Sequence, residues 1–494
     1  MPSMEVELTR DSVLKQVGPC FSEMDARAFL ELGPEAAIFA IMTLAKRVAE
    51  LTGLVGKADP SAPSGQTAPF LKPKTKGRRK KPGARPGHPG SRRETPKPDK
   101  TVPHSLERCP DCSGSVSKCN SSRSRIIEDL QEDSKPSVTE HVLSRYWCSH
   151  CRKKVEPVVE DALPDSQIGH RAICLAGMMH YLQGTTLSQI LDVYNYHLHF
   201  TVTEGGLVQA WHRMGEIFRP WYDGILEDIK GHAVLNADET GWRVLGQTFW
   251  LWCLAAKDAV YYLIDPSRGS SVLKKLFRTF FNGVLVTDFW GAYNSVMCLA
   301  KQKCLPHLLR DLSRTRHYHN PGEDWPEFYR RLRRLIRDSM RLKKAKQGMA
   351  LEVYERRKAR IRKRLDEFID QEWKQKHARR LQKRLRRHRE ELLTFLDHDE
   401  VPSDNNGGER GIRPAVLIRK NSYGNGSERG AQTQAVMMTI MRTLKMRGHN
   451  LVQILVDASY TAFLQGKAAS FYAVALCVAP FSDSFFHPTV PSGG

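Results

Sequence analysis

The chain has 494 residues, 40% of them hydrophobic, and a formal net charge of +22. That length suits several domains rather than one, and the charge points to an acidic polymer as partner. The opening MPSMEVELTRDSV lacks the basic-then-apolar order of a secretory leader, and no run reaches about 18 apolar residues, so a cytoplasmic protein with no membrane span is expected.

The charge is concentrated. Residues 72–100 hold 12 Lys/Arg against 2 Asp/Glu, and residues 323–395 hold 25 against 12, which leaves the remainder close to neutral. Two dedicated elements therefore deliver the basic charge. The 11 cysteines are mostly scattered singly. In a reducing compartment, those that pair by spacing more often bind metal than form disulfides.

Residues 1–56 read as an N-terminal helical segment, broken at Gly33-Pro34. Ala37, Ile41, Leu44, Val48, Leu51 and Val55 form a short a/d seam for a coiled coil or for packing on another domain. Residues 57–104 are a Pro/Gly-rich basic linker. It is either a solvated spacer or an arm that tracks phosphates, with Arg78, Arg79, Lys80, Lys81 and Arg85 as its DNA contacts.

Residues 105–164 carry Cys109-Pro-Asp-Cys112 and Cys148-Ser-His-Cys151. Four thiolates satisfy one structural Zn²⁺, and the strand-like runs SRIIEDL and SVTEHVLSRYW suit a zinc ribbon. A redox CxxC is the competing reading. Residues 165–230 are helical: Leu175, Met178, Met179 and Leu182 share one apolar face, LSQILDVYNY makes a second helix, and Thr203 caps a third whose inner face is Leu207, Trp211, Met214 and Phe218. The segment is either a helix-turn-helix, with Gln209, His212 and Arg213 reaching bases, or a plain helical layer.

From 231 the period changes. HAVLNADET, TFWLWCLAA and AVYYLIDP are three strands, followed by a helix (GSSVLKKLFRTF), a buried strand (GVLVTDF), a short helix (AYNSVMCLA) and a last strand-like piece (KQKCLPHLL). This order suits an RNase-H-like α/β core over 231–322, with Asp238 and Asp288 ending neighbouring central strands. Residues 323–398 form a basic helical insertion with apolar stripes at Leu332, Leu335 and Ile336 and at Leu381, Leu385 and Leu392. Its one-sided charge is better explained by DNA than by solvation. Residues 399–465 return to the core with Glu409 at the start of an Arg/Lys-rich helix, and 466–494 are a tail. The fold class expected is multidomain α+β.

Asp238, Asp288 and Glu409 are hard oxygen donors in a basic chain. Two Mg²⁺ (or Mn²⁺) held by three carboxylates, with Asp238 bridging, could activate water and stabilise a leaving oxygen at a phosphodiester. Taken singly, each acid has a plain explanation: a turn residue, a helix cap, or an i,i+4 pair of Glu409 with Arg413.

The segments NADETGWRV, LVTDFWGAYN, CLPHLLRDL and DNNGGERGIRPAVLIRKNS resemble the DDE transposases of the insertion sequence 66 family, and the likeness extends over roughly residues 30–460. The resemblance implies Asp238, Asp288 and Glu409 as the catalytic triad, His307 as a family histidine, and Arg410, Arg413 and Lys420 as basic positions that contact DNA or orient Glu409. It implies action on inverted repeats and target DNA by a dimer or larger assembly, with small accessory proteins as further partners. Three stretches depart from the pattern: GARPGHPG in the arm, CLPHLLRDL, and the tail. A nuclease without joining activity and a non-catalytic DNA-binding regulator are the competing functions.

Overall fold

The computed structural model describes residues 135–465, apart from 156, 158 and 320, together with scattered earlier positions that include 111–115. The N-terminal seam, the basic arm with Arg78, Arg79, Lys80, Lys81 and Arg85, the run SRIIEDL, Cys109 and the tail lie outside the described residues. No described helix is long and apolar enough to cross a membrane. The chain divides into two compact units, one of residues 80–304 with 390–494, the other of 305–389 with 1–79.

In the first unit, β1 (Tyr146–Cys148) and β2 (Lys153–Val155) form a small antiparallel hairpin. The strand-like run from Ser137 is strand only from Tyr146. Four helices follow: α1 (His170–Gly177), α2 (Leu187–His197), α3 (Glu204–Ile217) and α4 (Arg219–Lys230). A π-helical turn, Met178–Gln183, extends α1 and ends at Gly184, whose φ of 83° lies in the left-handed region. Thr186 and Thr203 cap α2 and α3 by accepting from the backbone N–H of Gln189 and Gly206. Leu207, Trp211, Met214 and Phe218 are all buried, as their spacing predicts. These helices share one core with the sheet that follows.

That sheet has five strands: β3 (Val234–Val244), β4 (Gln247–Ala255), β5 (Val260–Asp265), β6 (Phe281–Thr287) and β7 (Cys298–Lys303). The order is β5-β4-β3-β6-β7, antiparallel on the β5 side of β3 and parallel on the β6 side. A two-residue turn joins β3 to β4. Leu245 and Gly246 have φ of 50° and 73°, the double left-handed geometry that matches strand twist. Helix α5 (Ser270–Leu276) makes the crossover from β5 to β6. Two expectations fail next. AYNSVMCLA is not a helix but a 3₁₀ turn, Gly291–Ser295, followed by the start of β7, and CLPHLL begins a helix instead of ending a strand. Parallel pairing with β6 sets the conformation of 298–303 against its weak local preference.

Helices α10 (Asn406–Ser422), α11 (Glu428–Met446) and α12 (Leu451–Gln465) complete this unit. Here α11 solves the problem of a free sheet edge. Thr439 and Thr443, one turn apart, accept from the backbone N–H groups of Tyr262 (3.0 Å) and Val260 (3.2 Å) on edge strand β5.

The second unit is helical where described: α6 (Leu305–His319), α7 (Trp325–Lys344), α8 (Leu351–Asp370) and α9 (Lys376–Arg387). Leu332, Leu335, Ile336, Leu381 and Leu385 are buried. Phe328, Phe368 and Trp373 form an aromatic cluster with centroids 4.9–5.2 Å apart. The carboxylate of Asp324 accepts from the Gln375 backbone N–H at 3.1 Å, tying the start of α7 to the start of α9.

Candidate functional site

Asp238 does not end its strand. It is the fifth of the eleven residues of β3, because β3 runs on as a hairpin with β4 after its partner β6 has ended. The parallel register pairs Asn236 with Val286. Two steps further along both strands bring Asp238 level with Asp288, where β6 gives way to a loop. Neighbouring strands lie about 4.8 Å apart. The Asp288 carboxylate accepts from the backbone N–H of Trp290 at 2.8 Å, which fixes the loop around it.

Glu409 comes from the first turn of α10, which lies on one face of β3 and β4. Asp238, Cys253 and Tyr262 are cross-strand partners and share that face. The Tyr262 hydroxyl donates to the Gly411 carbonyl, and a Cβ at Gly411 would stand 2.9 Å from the Cys253 sulfur. At Gly407 a Cβ would meet the Asn236 amide oxygen at 2.4 Å. The helix therefore needs glycine to approach the sheet this closely, which explains the GGERG spacing.

Asn405 holds that helix in register. It is 1% exposed, its Nδ2 donates to the Ala237 carbonyl at 2.9 Å, and its Oδ1 accepts from Asn236 Nδ2 at 3.0 Å. Its own carbonyl accepts the Glu409 N–H at 3.0 Å. One buried side chain thus links the residue before Asp238 to the turn that carries Glu409. At the far end of α10, Arg419 donates to Thr240 at 3.0 Å and to the Gly241 carbonyl.

The electrostatics follow from this crowding. Burial pushes the Asp238 carboxyl well above the ordinary carboxylate range, and the charges of Glu239, Asp288 and Glu409 push it the same way. The Glu239 backbone N–H, 3.0 Å from Asp238 Oδ1, opposes them. Asp238 therefore interacts with both other acids. The carboxylates do not form a closed cage: among the described residues, no three His, Cys, Asp or Glu side chains group as ligands for one ion. The donor set, three hard oxygen ligands whose charges repel one another, still fits a hard divalent cation.

Two neighbours were not singled out in the sequence. Glu239, next to Asp238, points to the opposite face of the sheet. There Arg268 donates to its Oε1 through Nη2 at 2.8 Å and Nε at 3.1 Å, and the Tyr293 hydroxyl donates to Oε2. Burial, then the charge of Asp288, raises its pKa, while Tyr293 and Arg268 lower it. The Arg268 guanidinium lies 4.5 Å from the Trp250 ring and 3.9 Å from the Trp290 ring. Lys303, paired with Thr287 across β6–β7, is fully buried and donates to the Thr287 hydroxyl at 2.9 Å, with Glu391 at 3.9 Å. Burial lowers its pKa, while Glu391 and Asp288 raise it.

The remaining candidates are dispersed. Arg410, Arg413 and Lys420 are exposed on α10. His307 lies in the first turn of α6, in the other unit, and is half-buried. The reading of His212 as a base contact fails: its ring is buried with Nδ1 2.8 Å from the Thr433 hydroxyl, and Arg213 is half-buried.

The cysteine segments show a repeated local geometry. Cys148 ends β1, and the Cys151 N–H points at its sulfur at 3.4 Å. That N–H, the Cys151 side chain and the His150 N–H lower the Cys148 pKa. Trp147 pairs with Lys154 around this turn, and Arg108 pairs with Ser115 at the equivalent places around Cys112. The residue after each second cysteine, Ser113 or Arg152, has a positive φ of 60° or 49°. Cys112 and Cys151 are exposed.

Comparison with known proteins agrees with this architecture. Residues 107–152 match the zinc-finger binding domain of transposase IS66. A protein of Sinorhizobium fredii described as uncharacterized protein y4qI is 30% identical over 281 residues, 50% of this chain and 51% of that protein. The chain thus aligns with about half the length of this curated relative. Residues 165–433, more than half of the chain, match the model of the transposase IS66 family, with β3, β6 and the first turn of α10 all inside the match. The chain belongs to the IS66 family of transposases.

Proposed function

We propose that the protein is a DDE-type DNA transposase that cleaves element ends and transfers the released 3′-OH into target DNA. The observation that carries this reading is the placement of Asp238 level with Asp288, under a helix that Asn405 pins to Ala237 one turn before Glu409. Central strand β3, with antiparallel β4 and then β5 on one side and parallel β6 and β7 on the other, supports the reading of an RNase-H-like core. Family membership supplies DNA as the partner.

Asp238, Asp288 and Glu409 would hold two Mg²⁺ (or Mn²⁺), which supply a Lewis acid for the phosphoryl oxygen and lower the pKa of attacking water. Asp238 interacts with both other acids and so suits the shared ligand position. In the first step a water oxygen bonds to phosphorus, the bond to the 3′-oxygen breaks, and that oxygen leaves as a hydroxyl. In the second step the 3′-OH attacks a target phosphodiester and displaces the target 3′-oxygen, so the number of phosphodiester bonds is conserved. Arg410, Arg413 and Lys420 line the outer surface of the same helix as Glu409 and would engage the DNA backbone. Cys109, Cys112, Cys148 and Cys151 would bind one structural Zn²⁺, and assembly as a dimer or larger would bring two ends together.

The test is incubation of purified full-length protein with end DNA and Mg²⁺, without accessory proteins. Cleavage followed by joining of precut ends to target is expected, and Asp238→Asn should lose both while still binding ends. Cleavage without joining would indicate a nuclease. An Asp238→Asn variant that cuts would overturn the assignment of the site.

A further inference from the structure

Along α7, in the helical unit, a cavity of about 550 Å³ has Arg330, Arg333, Arg334, Arg337, Arg341 and Trp325 in its wall, and Arg316, Tyr329 and the single carboxylate Asp338 line it as well. We propose that it is a phosphate-binding site for the sugar–phosphate backbone of duplex DNA. This rests on the reading of the chain as a DNA transposase and gives that reading a specific surface outside the acidic site.

Three independent features of α7 support the assignment. The first is charge that the fold does not neutralise. Asp338 is one carboxylate shared by Arg364 at 2.9 Å, Arg341 at 3.7 Å and Arg334 at 3.9 Å. Arg330 and Arg337 are exposed and form no ion pair among the described residues. Arginines at 330 and 334, 333 and 337, and 337 and 341 are like charges four apart, an arrangement that costs a free helix a few tenths of a kcal/mol per pair, on the order of 0.2–0.5. A solvated face would be better served by alternating signs.

The second is a donor without an acceptor. Trp325 is 2% exposed, lines the cavity, and its Nε1 has no hydrogen-bond partner. A buried N–H left unsatisfied costs about 1–3 kcal/mol. The N–H is shielded from solvent in the free protein, so a phosphate oxygen becomes its acceptor when the cavity wall shifts on binding. The third is pre-organisation: the Tyr329 ring lies 5.0 Å from the Arg316 guanidinium and 5.9 Å from that of Arg333, which restrains two of the cations at the cavity.

The dimensions fit a backbone rather than a single anion. From Arg330 to Arg341 the helix rises about 17 Å at roughly 1.5 Å per residue. That is longer than one phosphate and its sugar, so the row spans several phosphates of a strand. Planar guanidinium groups can grip each phosphate with two donors.

The test measures the salt dependence of duplex binding by the full chain in EDTA. The variant Arg330→Gln, Arg333→Gln, Arg337→Gln, Arg341→Gln keeps good helix formers on α7. Loss of four phosphate contacts should flatten the slope of log K against log salt by about 3–4. Trp325→Phe keeps the aromatic packing but removes the N–H, and should weaken binding severalfold at fixed salt. Inorganic phosphate should compete no better than chloride of matched ionic strength. An unchanged slope in a variant with native helix content overturns the proposal, as does displacement of DNA by inorganic phosphate that depends on these arginines. A wild-type protein that binds with the steep slope but never cuts or joins DNA would retain this site and remove the catalytic reading instead.

Discussion

Asn405→Ala is the sharpest probe of how the acidic site is assembled. The side chain is 1% exposed and makes two buried hydrogen bonds, to the Ala237 carbonyl and from the Asn236 amide. Each such bond contributes about 0.5–1.5 kcal/mol, and a buried partner left unsatisfied costs about 1–3 kcal/mol. Glu409, Gly407 and Gly408 all depend on the same turn, so the loss should fall on the opening of α10 away from β3. A net cost of about 2–4 kcal/mol is expected, within the range for breaking a buried network. The chain has two compact units, so a single global unfolding energy is a poor measure. Native-state hydrogen exchange reads the local effect. At one decade per 1.4 kcal/mol, amides in the first half of α10 should exchange roughly 30- to 700-fold faster, with the helices of 305–389 unaffected. The Mg²⁺ concentration for half-maximal cleavage should rise as well. Unchanged protection in α10, or an equal loss in both units, would refute the claim that Asn405 locks Glu409 beside Asp238.

Three other outcomes follow from the same geometry. The folded Asp238 pKa lies above its unfolded value near 3.9, so the folded state binds the extra proton and stability falls as pH rises from about 4 through the raised value. Without metal, Asp238→Asn should therefore be more stable than the parent at neutral pH, with the gap closing below about pH 4; thermal scans from pH 3.5 to 8 in EDTA check this, and a less stable variant at pH 7 contradicts it. Arg268→Met leaves Glu239 buried without its cation and should cost about 3–5 kcal/mol, whereas adding Glu239→Gln should recover much of that, a coupling that a double-mutant cycle read by hydrogen exchange of the β3 amides measures directly. Metal analysis should find one zinc per chain, and Cys148→Ser with Cys151→Ser should release it while leaving exchange protection in β3 and β6 intact.

What the sequence makes legible depends on whether a signal is local. Thr203 and the alternating four- and three-residue spacing of Leu207, Trp211, Met214 and Phe218 carry their own geometry, and the helix forms as they predict. The three strands from 231 carry theirs in apolar runs. Residues 291–303 do not: a 3₁₀ turn and then a strand replace the expected helix because β6 offers a parallel partner that no local preference encodes. The same holds for His212, a polar residue on a helix that looks available until Thr433, 221 residues away, is placed against its ring. Strand ends pointed to Asp238 and Asp288 and the family resemblance to Glu409, but their levels came only from the β3–β6 register and from Asn405.

The consecutive acids Asp238 and Glu239 show why that register matters. Neighbouring residues on a strand face opposite sides, so the two carboxylates cannot work on the same face despite being adjacent. Glu239 has both oxygens engaged, by Arg268 and Tyr293, and Arg268 is stacked on Trp290. Trp290 in turn returns its indole N–H to the Arg268 carbonyl at 3.2 Å and gives its backbone N–H to Asp288. The ion pair on the far face is thus continuous with the loop that presents Asp288, and its cation is occupied in holding that loop. Lys303, which unlike the half-buried Arg268 is fully enclosed, is held between Thr287 and Glu391. Both cations steady the β6 end from fixed positions. Asp238 itself stays under the repulsion of Glu239, Asp288 and Glu409, the condition under which a divalent cation gains most by binding.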